Sequence, residues 1–235
     1  MLLKRALAAL VFAPVVFVAI YLGGWYLFAA CLLIAGLSLY EYFSMTAKER
    51  LWDRGWGMGL GLLLSAATML GLLNKAGFFA ALGFLIISSA LIVIMRPLPI
   101  EQGVARMTSL AFGIVYAGLL ITFLFHLRQS ADGRFWALVA LFAVWGCDTG
   151  AYFAGRFLGK HKLAPNLSPK KTIEGFVGGV VAALLVAILA YYLFRPSLHV
   201  GLAGAVGAAA GVFGQLGDLA ESLIKRSTKV KDSSN

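Results

Sequence analysis

Hydrophobic positions along this chain fall in long continuous runs separated by short polar breaks, with no sustained apolar/polar alternation. A bilayer is crossed by about 20 apolar residues in a helix, and the runs predict eight spans, roughly 6–22, 25–44, 56–73, 77–95, 105–127, 135–156, 175–194 and 200–225. Gly23-Gly24 separates the first span from the second, Pro97 and Pro99 close the fourth, and Arg195-Pro196 closes the seventh. Runs of this kind are helices and not barrel strands, whose lipid-facing and interior residues would alternate. The expected fold class is therefore all-α: a polytopic membrane helical bundle. Residues 1–132 form an N-terminal membrane region with spans one to five. Residues 133–235 form a catalytic region with spans six to eight, a cytoplasmic loop at 156–175 and a polar C-terminal segment. Lys4 and Arg5 before the first run resemble a signal peptide, but no small-residue cleavage site follows, so the run is expected to remain as a helix.

Composition agrees. Of 235 residues, 61% are hydrophobic and 13% charged, with a mean hydropathy of +0.89. A soluble domain of this length needs more polar surface. The net charge of +10 is scattered over short loops, which gives no continuous basic face for nucleic acid. With the N-terminus inside, sixteen of the 20 Lys and Arg fall on the cytoplasmic side; only Lys75, Arg128, Arg134 and Arg195 fall opposite. The positive-inside rule then turns the 156–175 loop toward the cytoplasm. Cys31 and Cys147 both sit in apolar runs and read as packing residues.

Residues 159–175 break the apolar texture most sharply, with four lysines, His161, two prolines, two hydroxyls and Glu174. Lysines this close repel one another unless an anion lies among them. Ser168-Pro169 reads as an N-cap followed by proline at the first helical position, which would put Lys170 and Lys171 in the first helical turn. Free N–H groups, the positive dipole end and two ammonium groups would together suit phosphate. Asn166, Ser168, Thr172 and Glu174 add polar partners that a plain lipid-facing anchor does not need.

Asp148 lies inside the sixth span, about 12 Å from Arg156 at 1.5 Å per residue. An ionisable residue at that depth usually lines a cavity or pathway, although Thr149, Tyr152 or a nearby arginine would serve as a structural partner. Near the end of the eighth span, Asp218, Glu221, Ser222, Lys225, Lys229 and Asp232 recur at helical spacing as one polar stripe. Snorkelling to headgroups explains the bases. Two acids one turn apart beneath them suit oxygen ligation of Mg²⁺ instead. Gly201, Gly204, Gly207, Gly211, Gly214 and Gly217, with Gly146, Gly150 and Ala154 on the sixth span, predict close helix packing, within one copy or in a homodimer.

Ser-Pro-Lys-Lys-Thr-Ile-Glu-Gly (168–175), Gly-Asp-Leu-Ala-Glu-Ser-Leu-Ile-Lys-Arg (217–226) and Lys-Asp (231–232) resemble the phosphatidate cytidylyltransferases, the CDP-diacylglycerol synthases. Trp-Gly-Cys-Asp-Thr-Gly-Ala-Tyr (145–152) and Gly-Arg-x-x-Gly-Lys-His (155–161) strengthen the resemblance, which covers 145–235; earlier spans match only in hydrophobicity. The resemblance implies Mg²⁺-dependent transfer of CMP from CTP to phosphatidic acid, with a second, monovalent cation allowed, in a bacterial inner membrane with the active site facing the cytoplasm. It implies Asp218, Lys170 and Lys171 as catalytic residues, and CTP on Asn166, Ser168, Lys170, Lys171, Thr172 and Glu174. Lipid phosphate would meet Ser222, Lys225, Arg226 and Lys229; metal would meet Asp218, helped by Asp148 or Glu221. The nucleophile is an already ionised phosphate, so His161 is not needed as a base. In the family, His-Gly-Gly and Asp-Arg-x-Asp segments follow the Lys-Asp pair, whereas this sequence ends at Asp232-Ser233-Ser234-Asn235. The resemblance therefore carries the expectation of a C-terminally truncated, weakly active or inactive chain whose parent has about nine spans. The competing readings are a CTP-dependent lipid-alcohol kinase, a transporter with intramembrane Asp sites, and a structural subunit.

Overall fold

The computed structural model describes residues 2–95, 99–195 and 199–228, with side chains from Phe12 onward. Arg96, Pro97, Pro196, Lys229, Lys231 and Asp232, and the side chains of Lys4 and Arg5, lie outside the described residues. The chain is an all-α integral membrane protein, and it divides into two compact units, Met1–Ala131 and Asp132–Asn235. Among the described residues, six segments are long and apolar enough to cross a membrane: Gly24–Thr46, Lys75–Ile94, Ile100–Gln129, Gly133–Phe157, Ile173–Phe194 and Val200–Ser227.

The first unit contains α1 (Leu2–Leu22), α2 (Gly24–Thr46), α3 (Leu51–Met69), α4 (Lys75–Ile94), α5 (Gly103–Gly113) and α6 (Thr122–Gln129). Gly23 and Gly24 take φ of +71° and +51°, which breaks α1 from α2. The Arg128 guanidinium caps the end of α1, with Nε donating to Ile20 O at 2.8 Å. The fifth pass departs from the single helix that its hydropathy predicts. Between α5 and α6, Ile114–Leu119 is π-helical, and Leu120 N–H bonds Val115 O at 3.1 Å. The third helix begins at Leu51, five residues before its apolar run, and so carries Asp53 into the packed interior. That polar turn tolerates burial because Arg106 of α5 neutralises it.

The second unit contains α7 (Gly133–Phe157), β1 (Lys162–Ala164), β2 (Ser168–Thr172), α8 (Ile173–Phe194) and α9 (Val200–Ser227). Its three helices pack on one another, most extensively α7 with α8. Small residues permit this. A Cβ on Gly150 would lie 2.4 Å from Ala182 Cβ and 2.8 Å from Gly178 O. The glycines of α9 do not form the single face that the sequence suggests. Gly207 and Gly211 meet α8, whereas a Cβ added at Gly201, Gly204 or Gly217 would have nothing within 4 Å. Residues three apart on an α-helix drift by about 60° per step, so the series winds around the helix. The glycines that meet α8 are occupied within one copy.

Candidate active site

The loop after α7 is a small antiparallel hairpin and not the start of a helix. Lys162 pairs with Thr172 and Ala164 with Ser168, and the register shift between them gives β2 extra residues where Pro169 lacks an N–H. Pro165, Asn166 and Leu167 make the turn, with Leu167 N–H on Ala164 O at 3.1 Å. Ser168 is therefore not the N-cap of α8, and Lys170 and Lys171 are not in its first turn. Thr172 is the cap: its Oγ1 accepts from Gly175 N–H at 3.1 Å. The hydroxyl immediately before the apolar run wins over the one four residues upstream, and the two lysines lie on the strand that leads into it.

Two contacts fix this hairpin. Glu174, in the first turn of α8, accepts from the N–H groups of Lys160 (3.1 Å) and His161 (3.2 Å), and lies 2.6 Å from His161 Nδ1. Gly159 fits because it faces the carbonyl of Gly155, one turn earlier, and the Thr172 side chain; a Cβ there would fall 2.2 Å from Gly155 O and 2.9 Å from Thr172 Oγ1. The turn after α7 is thereby tied to the N-terminus of α8.

A cavity of about 440 Å³ opens within this unit. Asp148, Tyr152 and Arg156 line it from α7, Lys170, Lys171 and Thr172 from β2, and Gln215 and Asp218 from α9. Two acids and three bases from three separate sequence motifs thus share one space. Lys171 Nζ lies 2.6 Å from Asp218 Oδ2. It lacks the alignment of a hydrogen bond, so the contact is an ion pair. Asp148 is close enough for both charges to act on it, and it makes no hydrogen bond with a described residue. Neither hydroxyl expected as its structural partner takes it: Thr149 Oγ1 donates to Trp145 O at 2.9 Å, and Tyr152 Oη accepts from Arg156 Nη1 at 2.7 Å.

The remaining sequence-derived residues lie elsewhere. Asn166 sits in the exposed hairpin turn, Ser168 at the start of β2, and neither lines the cavity. Glu174 is engaged with the Lys160–His161 turn. Glu221 pairs with Lys225 along α9, and Ser222 Oγ donates to Asp218 O at 2.9 Å. Ser222, Lys225 and Arg226 do not line the cavity, and Lys229 is outside the described residues. Sequence reading missed Gln215, whose Nε2 donates to Phe176 O (3.0 Å) and Gly211 O (3.1 Å), which stitches α9 to α8 beneath Asp218. A lone amide in a Gly- and Ala-rich span was the available signal. Arg156 was counted as a loop charge, although it faces the cavity.

The donor set suits one hard divalent cation. Mg²⁺ uses one or two protein carboxylates and completes its shell with water and phosphate oxygens. Asp148 and Asp218 meet that requirement. Among the described residues no group of three or more His, Cys, Asp and Glu gathers into an all-protein cage.

Comparison with known proteins finds the cytidylyltransferase family matching residues 3–235. A phosphatidate cytidylyltransferase of Staphylococcus haemolyticus (strain JCSC1435) is 33% identical over 98% of this chain and 86% of its own length. One from Staphylococcus saprophyticus is also 33% identical, with the same coverage. The phosphatidate cytidylyltransferase of Staphylococcus aureus (strain COL) is 43% identical over 120 residues, 51% of this chain and 45% of its own length.

Proposed function

This chain belongs to the cytidylyltransferase family, and from that premise we propose that it transfers CMP from CTP to phosphatidic acid, giving CDP-diacylglycerol and pyrophosphate. A single observation carries the reading at the level of the site: one cavity gathers Lys170 and Lys171 with Asp148 and Asp218. In the reaction, an oxygen of the lipid phosphate bonds to the α-phosphorus of CTP. The bond from that phosphorus to the β-phosphate oxygen breaks, and the electron pair leaves with pyrophosphate. Two anions must approach, so the chemistry asks for charge neutralisation and positioning more than for a covalent intermediate.

Lys170 and Lys171 supply point charges for the triphosphate, and Thr172 fixes the strand-to-helix junction from which they project. Asp218 and Asp148 are the residues that would hold Mg²⁺. When bound, the ion would draw charge from the phosphate oxygens and from the leaving pyrophosphate. Lys171 and Asp218 form an ion pair across the cavity. With CTP and Mg²⁺ bound, Lys171 would meet phosphate oxygens and Asp218 would hold the cation. The excess of basic residues on the loop side supports a cavity open to the cytoplasm, where CTP is present, in the inner membrane of a bacterium.

The test is an assay of the purified protein in phosphatidate-containing micelles with CTP. CDP-lipid and pyrophosphate should appear, vanish with EDTA, and return with Mg²⁺. Lipid phosphate and CDP as products would instead identify a CTP-dependent kinase. Flux in sealed vesicles without nucleotide would favour a transporter.

A further inference from the structure

The cavity holds one more cation than the CTP reading uses. Arg156 closes α7, and an arginine at such a position normally reaches past the helix end to water or headgroups. Here it turns back. Its Nη1 donates to the hydroxyl of Tyr152, one turn earlier, at 2.7 Å, and its guanidinium carbon lies 5.9 Å from the centre of that ring. Both side chains line the cavity. The guanidinium has no carboxylate partner among the described residues, in contrast to Lys171 with Asp218 and Lys225 with Glu221. Its remaining N–H groups form the planar fork that matches two phosphate oxygens.

The surroundings identify the kind of phosphate. Tyr152 meets Phe153 edge-on at 5.4 Å, and Phe153 stacks on Phe157 at 6.2 Å. All three rings are exposed, as expected where a membrane protein meets the interface. An apolar aromatic surface thus begins where the polar wall of the cavity stops, and Arg156 stands at that edge. A soluble anion gains nothing from such a border. An amphiphile with a phosphate head and acyl chains is matched by it.

We propose that Arg156, held in place by Tyr152, is the residue that receives the phosphate of the lipid substrate. This replaces the basic end of α9, where Lys225 is paired with Glu221 and neither Lys225 nor Arg226 lines the cavity. The assignment rests on the cytidylyltransferase reading for its substrate, and its test separates the two. In the purified protein in mixed micelles, Arg156→Ala should raise the KM for phosphatidate about tenfold and leave the KM for CTP within about twofold. Arg156→Lys should fall between, because it keeps the charge and loses the fork. Tyr152→Phe should raise the same KM about threefold, as expected for one lost orienting hydrogen bond. Retention of labelled phosphatidate by the purified protein without CTP should drop in Arg156→Ala, while retention of diacylglycerol should not change. That arm reports on Arg156 even if the wild type yields no CDP-lipid, an outcome that would refute the proposed reaction alone. A rise in the KM for CTP in place of that for phosphatidate would overturn the assignment. So would unchanged phosphatidate retention, or a larger effect from Arg226→Ala than from Arg156→Ala.

Discussion

In the first unit Asp53 is fully buried, and Arg106 grips its carboxylate through two nitrogens, Nε at 2.6 Å and Nη2 closer still. Arg50 adds a third contact at 3.2 Å. In the second unit Asp148 has no hydrogen bond to a described residue, and Asp218, 58% exposed, forms an ion pair with Lys171 at 2.6 Å. Both regions combine aspartates with basic residues inside helical membrane units. The difference lies in completion. A buried charge without partners is strongly unfavourable, so a buried carboxylate held by an arginine of another helix is a structural joint, here between α3 and α5, even though Arg106 Nη1 is left without a hydrogen-bond partner among the described residues. A cluster left incomplete around open space keeps its bonding capacity for something that arrives from outside. Charge alone does not mark a site in a membrane protein; unsatisfied charge facing a cavity does.

The largest effect should come from breaking the closed cluster. Arg106→Ala leaves Asp53 buried with only Arg50 nearby, and should lower stability by about 3 kcal/mol or more. Denaturant titration in detergent would read this as a shifted unfolding midpoint. Replacing both partners, Asp53→Leu with Arg106→Met, should recover most of the loss, because an apolar pair can substitute for a buried ion pair. If Arg106→Ala kept its midpoint but lost activity, the first unit would hold a functional charge after all, and the contrast would fail.

The open cluster should respond in the opposite sense. Asp218→Asn should lower kcat by about 10²–10³, the range for losing one electrostatic group from a transition state. Its unfolding midpoint should stay close to wild type, because an exposed ion pair contributes little to stability. A shift in midpoint comparable to that of Arg106→Ala would make Asp218 a second structural joint.

The contrast also explains what could be read from the sequence. The helical membrane class was legible, because hydropathy over 20 residues reports directly on solvent. Asp148 and Asp218 stand out because they interrupt spans in which charge is costly, and Lys170 and Lys171 because four lysines crowd one loop; all four line one cavity. Asp53 was not. It precedes its apolar run and looks like a loop residue until Arg106, 53 positions away, neutralises it. The α8 boundary was misread for a related reason. Ser168-Pro169 has the local grammar of a helix start, but the hairpin pairing of Lys162 with Thr172 moves the cap to Thr172. Gln215 offered only a lone amide in an apolar span, and its role, like that of Arg156, comes from tertiary packing: α9 against α8 and the backward turn of one guanidinium.

The smallest effect tests whether Glu174 belongs with the closed or the open charges. By sequence it reads as a ligand for CTP. Its carboxylate is instead occupied by two backbone N–H groups and a histidine ring from the turn after α7, a local version of the completed Asp53 cluster. Glu174→Gln keeps an acceptor oxygen and loses the charge, so the turn should loosen without unfolding. The KM for CTP should rise about fivefold, the size of a weakened charge-assisted hydrogen bond. Preference for CTP over UTP should not change. Hydrogen exchange at Lys160 and His161 should accelerate in the same variant, because those amides lose their acceptor. A residue that touched the cytosine ring would behave otherwise: its substitution would erode base selectivity and leave the two amides protected. Glu174 would then join Asp148 and Asp218 among the charges held open for substrate.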